Sequence, residues 1–117
     1  MVKRSRNESE LGILGRLRFM NLTYKHDWLE QLAHGIPVKT RFSTEIVQRY
    51  RERIQAIIDA VDERDLRMIR GANFEKLKNE LKGQYSMRLN KQFRIVFQIH
   101  TGTAGNTIHI TDLTDYH

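Results

Sequence analysis

Two alternating segments, only three residues apart, leave the C-terminal half of this chain little conformational freedom. Tyr85, Met87 and Leu89 alternate with Gln84, Ser86 and Arg88; Phe93, Ile95, Phe97 and Ile99 alternate with Arg94, Val96, Gln98 and His100. Side chains of a strand point to opposite faces in turn, so these segments can pair only in a register that puts both apolar sets on one side. Leu89 then faces Phe93 across a loop of Asn90, Lys91 and Gln92, a common three-residue hairpin connection. Met87 faces Ile95, Tyr85 faces Phe97, and Arg88 faces Arg94. Like charges directly opposite each other cost a few tenths to about 1 kcal/mol. A phosphate site rewards such a pair, because the anion removes the repulsion and Arg grips it bidentately. The alternative is structural, with each Arg paired to a carboxylate such as Asp112 or Asp115.

The rest of the chain supplies the cover. Phe19 to Tyr24 alternates and predicts a short strand. Trp28, Leu29, Leu32 and Ala33 have helical spacing within His26–His34; Gly35 stops that helix and Pro37 marks a loop. Ile46, Val47, Tyr50, Ile54, Ile57, Ile58 and Val61 form one apolar stripe, capped by Ser43 or Thr44 with Glu45 in the first turn. Residues 65–70 suggest a short turn and 71–81 a loop with weak helical character. Residues 101–106 form a turn, and Thr107–Leu113 a last strand. The order β-α-α-β-β-β predicts an α+β fold, an antiparallel sheet with two N-terminal helices packed on it.

Charge narrows the function. The 117 residues carry a net +6 and no cysteine, which excludes a disulfide framework and thiolate zinc sites. About half the excess falls in residues 1–19, read as a basic extension ahead of a single domain at 20–117. Residues 76–94 alone carry +5 (Lys76, Lys78, Lys82, Arg88, Lys91 and Arg94, opposed only by Glu80), while the other residues after the extension nearly cancel. Such a stretch is either a solvated basic face or a site for phosphates. No apolar run reaches the roughly 18 residues of a membrane helix, and no signal peptide is evident, so a cytoplasmic location is expected. No metal-binding HExxH, phosphate-binding loop or GxSxG is present. His26 and His34 lack a third ligand at metal spacing, so neither metal nor cofactor is expected, and His100 and His109 read as surface residues. The chemistry left lies in Lys78, Lys82, Tyr85, Arg88, Arg94, Asp115, Tyr116 and His117. Arg and Lys stabilise charge developing on a phosphate; His and Tyr move protons. These are the parts of a metal-independent ribonuclease, although a terminal Asp-Tyr-His is also what a frayed tail looks like.

Leu77-Lys78 followed by Gly83–Asn90 (GQYSMRLN), the strand Gln92–Phe97 (QFRIVF) and the closing Asp115-Tyr116-His117 resemble the HigB-type toxins of the RelE superfamily, over about residues 20–117. The resemblance implies a RelE-like fold and a ribosome-dependent mRNA endonuclease that drives the RNA 2′-hydroxyl onto its own phosphate. It implies mRNA on the ribosome as substrate, a HigA-type helix-turn-helix antitoxin as partner, and operator DNA bound only through the complex. By position, Arg94 is the strand arginine at the scissile phosphate and Lys78 a second cation. Asp115, Tyr116 and His117 are the C-terminal residues tied to activity, with His117 the first choice for proton transfer, oriented by Asp115. Lys76, Lys82, Arg88 and Lys91 would bind the nucleic acid. The chain departs where the family reads Leu-Lys-Gly-Asp-Arg and this sequence reads Leu77-Lys78-Asn79-Glu80-Leu81. It also has Glu75 where some members carry a histidine. The competing reading is a RelE-like module that binds RNA or protein without cleaving.

Overall fold

The computed structural model describes residues 20–103 and 105–115. The expected extension 1–19 and the terminal Tyr116 and His117 lie outside the described residues.

Strand β1 (Asn21–Tyr24) leads into helix α1 (Asp27–Ala33), which buries Leu29 and Leu32. Gly35, at φ +77°, takes the left-handed position that closes the helix. Ile36 N–H reaches Gln31 O (2.9 Å) and Gly35 N–H reaches Leu32 O (3.3 Å), which satisfies the last carbonyls. Helix α2 (Thr44–Asp59) starts where the sequence places it, with Ser43 Oγ accepting from Ile46 N–H at 3.2 Å. Its stripe of Ile46, Tyr50, Ile54 and Ile57 is buried. Tyr50 Oη donates to Leu29 O at 2.7 Å and ties the two helices together.

The stripe was expected to run to Val61, but the helix stops at Asp59 and Val61 is exposed. The physical reason is a competing start signal. The Asp62 carboxylate caps a new short helix, α3 (Glu63–Arg67), by accepting from the N–H groups of Arg64 and Asp65. Beyond it come β2 (Glu75–Lys76), a 3₁₀ turn (Asn79–Leu81), β3 (Gln84–Arg88), β4 (Phe93–Gly102) and β5 (Gly105–Asp115).

The five strands form one sheet in the order β1-β5-β4-β3-β2. The β3–β4 hairpin has the register deduced above, including Arg88 opposite Arg94. The α+β architecture is as expected, with two refinements. Strand β1 pairs with β5 in parallel, which makes the sheet mixed, and the two-residue β2 adds an edge beside β3. The helices cover one face, where Met87, Leu89, Ile95, Phe97, Ile108, Ile110 and Leu113 are buried with the helical stripe. No helix among the described residues is long and apolar enough to cross a membrane.

Candidate functional site

The second face of the sheet is polar, and it is a groove with a floor. Val96 and Ser86 lie on it at only 3% and 2% exposure. The groove encloses about 440 Å³, with Arg94, Gln84, Gln98, His109 and Thr111 on its floor and Lys25 and Leu81 among its walls. Its shape depends on an irregularity in β5. Val96 pairs with Asp112 and Phe97 with Ile110, so Thr111 is an extra residue, a β-bulge. The Thr111 hydroxyl lies 2.8 Å from Gln84 Oε1 and 3.1 Å from Val96 O, which anchors the bulge across two strands. The bulge also sets Thr114 directly opposite Arg94 and Asp115 opposite Phe93.

Arg94 stands between Arg88 on one strand and Thr114 on the other. Leu89 N–H closes the hairpin to Phe93 O (2.8 Å), whereas Arg88 N–H points away, to Ala72 O (2.6 Å). Arg88 and Arg94 therefore form a non-hydrogen-bonded pair, the kind whose side chains lie closer together. The loop between the strands is held by Asn90, whose Oδ1 accepts from Gln92 N–H (2.8 Å) and Phe93 N–H (2.7 Å). Gln92 Nε2 in turn donates to Asp115 Oδ2 at 2.9 Å, so the hairpin loop and the end of β5 are fastened at the mouth of the groove.

Of the residues singled out from the sequence, the structure brings together Arg94 and Asp115 in the groove, with Arg88 beside Arg94 on the same face. Lys78 and Lys82 are exposed and bracket the 3₁₀ turn whose Leu81 forms one bank. Lys91 is exposed in the hairpin loop. Lys76 pairs with Tyr85, which packs on Phe74 and Phe97 on the helical side, so its register position faces away from the groove. Glu75, opposite Ser86, has the groove-side position instead. Asn79, standing where the resembling family has glycine, sits at φ +59°. Asn tolerates that left-handed conformation better than most non-glycine residues, so the substitution leaves the turn beside Lys78 intact.

Sequence reasoning passed over His109, Gln98 and Thr23. His109 belongs to the groove, and its Nδ1 lies 2.8 Å from Thr23 Oγ1 on the parallel strand β1. His100 stands nearby, its ring 6.4 Å from that of His109 and its Nε2 2.9 Å from Gln98 Oε1. Alternation alone puts these residues on a solvated face; only strand order shows that His109 and Gln98 share a cavity with Arg94. One sequence signal was available for the bulge: the apolar residues of β5 are Ile108, Ile110 and then Leu113, a step of three where a regular strand steps by two. Among the described residues no group of three or more His, Cys, Asp or Glu side chains could hold a metal ion.

Residues 22–117 match the family model described as the RelE-like toxin of type II toxin-antitoxin system HigB. The chain is 36% identical over 88 residues to Toxin HigB-1 of Vibrio cholerae serotype O1 (strain ATCC 39315 / El Tor Inaba N16961), a match covering 75% of this chain and 93% of that protein. Among solved structures it resembles a YoeB/ParE toxin from Agrobacterium tumefaciens (TM-score 0.56, 15% identity, 84% of this chain and 100% of that one). It also resembles the YoeB dimer from Staphylococcus aureus (TM-score 0.53, 23% identity, 85% and 98%). At these identities the structural likeness speaks for the fold.

Proposed function

Since this chain belongs to the HigB family of RelE-like toxins of type II toxin–antitoxin systems, we propose that it is a ribosome-dependent endoribonuclease that cuts mRNA in the A site without a metal. The observation that carries this reading is Arg94 in the groove with Arg88 directly opposite it, two cations side by side on the face where a strand phosphate would lie. In the proposed reaction the 2′-oxygen of one nucleotide attacks the adjacent phosphorus and gives up its proton to a base on the protein. The phosphorus–O5′ bond breaks, and the leaving O5′ takes a proton from an acid. Arg94 stabilises the extra negative charge on the phosphoryl oxygens, with Lys78 as a second cation. His117, oriented by Asp115, is assigned the proton transfers, with Tyr116 as the alternative group. Arg88, Lys82, Lys91 and Lys76 contribute to strand binding, Lys76 least because its position faces away from the groove.

A structural relative from S. aureus is a YoeB–YefM toxin–antitoxin heterotetramer. By analogy we assign this chain a helix-turn-helix antitoxin of the HigA type, operator binding through the complex, and action in the cytoplasm where its substrate lies. Residues 1–19 are proposed as an extension to the toxin domain. The test is primer extension on an mRNA in a reconstituted translation reaction. New 5′ ends in the A-site codon that require ribosomes are the expected result. An unchanged ladder from folded protein overturns the nuclease reading and leaves a binding module.

A further inference from the structure

A second pocket adjoins the groove on the far flank of β5. Strand β1 ends at Tyr24, opposite Ile110, so β5 beyond Ile110 has no strand on that edge among the described residues. The start of α1 and the loop before α2 stand there instead and enclose about 500 Å³ against the end of β5. The half-buried rings of Trp28 and Phe42 line it, their planes 23° apart and their centroids at 6.1 Å. Phe93, the neighbour of Arg94 in β4, braces Phe42 edge-on at 5.5 Å. Lys39 and Arg41, both exposed, add positive charge to the rim, and the Arg41 guanidinium lies 5.0 Å from the Phe42 ring centre. Asp112 and Thr114 line both this pocket and the groove.

We propose that this pocket receives one unpaired nucleobase of the RNA strand whose phosphate lies in the groove, an inference that rests on the nuclease reading above. Thr114, the direct partner of Arg94 on the adjacent strand, lines both cavities, so a phosphate at Arg94 and a base in the pocket fall within the span of one nucleotide. Aromatic faces stack any base, and the rim cations suit the phosphates on either side of it. At the shared wall stands the Asp112 carboxylate, one oxygen of which accepts from Leu113 N–H at 2.8 Å. A carboxylate accepts several hydrogen bonds and donates none, so it favours bases with an exocyclic amino group over uracil. Apolar walls of this kind also suit a protein segment; the wall shared with Arg94 and the cationic rim favour the nucleic acid.

Trp28 is the chain's one tryptophan, so a base stacking in the pocket reports itself in fluorescence. The probes are short single-stranded oligonucleotides with 2′-deoxy sugars, which cannot be cleaved by 2′-oxygen attack, and matched strands carrying one abasic site at each position in turn. Intact strands should quench Trp28 saturably, and one abasic position should restore the signal and weaken binding about tenfold. Phe42→Leu, which keeps an apolar side chain against Phe93, should weaken binding similarly. Asp112→Asn should change the preference among bases while the strand still binds. Equal quenching and affinity for every abasic strand overturn the pocket assignment. So does a Trp28 signal that moves with a protein partner and with no oligonucleotide. Cleavage of the all-ribose strand on ribosomes is scored separately: quenching without cleavage keeps the pocket and removes the nuclease, and cleavage without quenching does the reverse.

Discussion

At the scale of single residues, three side chains carry the argument. Arg94 is a charge stabiliser in the proposed reaction, so Arg94→Ala should slow A-site cleavage by on the order of 10²–10³ in primer extension while leaving the fold intact. Its neighbour Arg88 is the second cation on that face. Arg88→Thr removes that charge, so it should weaken RNA binding and reduce its salt dependence while urea melts still report a folded protein. A variant that loses stability and keeps full binding would show that the pair is structural. Asn79 decides whether the altered turn beside Lys78 matters. At φ +59°, Asn79→Gly should be tolerated with activity retained, whereas Asn79→Ala should cost about 1 kcal/mol and loosen the turn. Thermal melts of the two variants side by side distinguish backbone conformation from side-chain chemistry at this position.

At the scale of elements, the β3–β4 hairpin and the end of β5 place the groove. The hairpin loop depends on Asn90, whose carbonyl takes two backbone N–H groups that otherwise lack an acceptor in the turn. Asn90→Ala should destabilise the protein by about 1–2 kcal/mol. It should also lower cleavage, by less than Arg94→Ala does, because it only loosens the strand end that carries Arg94. Unchanged urea melts would mean that the apolar register alone holds the hairpin. The bulge at Thr111 works in the same way on the other strand. Without the extra residue, Thr114 and Asp115 would exchange faces, and Arg94 would face a different partner. Helix α2 plays a different part. Its stripe buries the back of the sheet, and Arg49 and Arg51 reach across to Leu89 O and Leu32 O, so it holds the scaffold rigid under the groove without lining it.

At the scale of the whole molecule, two tyrosines link stability to pH. Burial pushes the Tyr24 phenol up to about 12, aided by the charge of Glu30. Burial also raises Tyr50, whose hydroxyl is hydrogen-bonded to Leu29 O. An unfolded tyrosine ionises near pH 10, so between pH 10 and 12 the unfolded chain releases protons that the folded chain keeps. Stability is therefore fully present below pH 10 and falls as pH rises through that window. Melting temperatures should be flat on this account up to about pH 9.5 and decline above it. Tyr24→Phe should reduce the slope of the decline; an unaltered slope would assign it to other groups. The sequence by itself determined the two N-terminal helices and the Ser43 cap, the α+β class and the hairpin register, because each depends on periodicity and turn chemistry within a few residues; the early stop at Asp59 and the Asp62-capped α3 it did not show. It also placed Arg94 opposite Arg88, since a period of two leaves one register that buries both apolar sets. It could not show the parallel pairing of β1 with β5, the bulge at Thr111, the displacement of Lys76 from the groove, or the gathering of His109 and Gln98 beside Arg94, with Thr23 behind His109. Those depend on which distant segments become neighbours and on which face each then presents. That choice is made by packing the whole core, where Phe97, Ile110 and Tyr50 are buried together although Tyr50 and Ile110 stand 60 positions apart in the sequence.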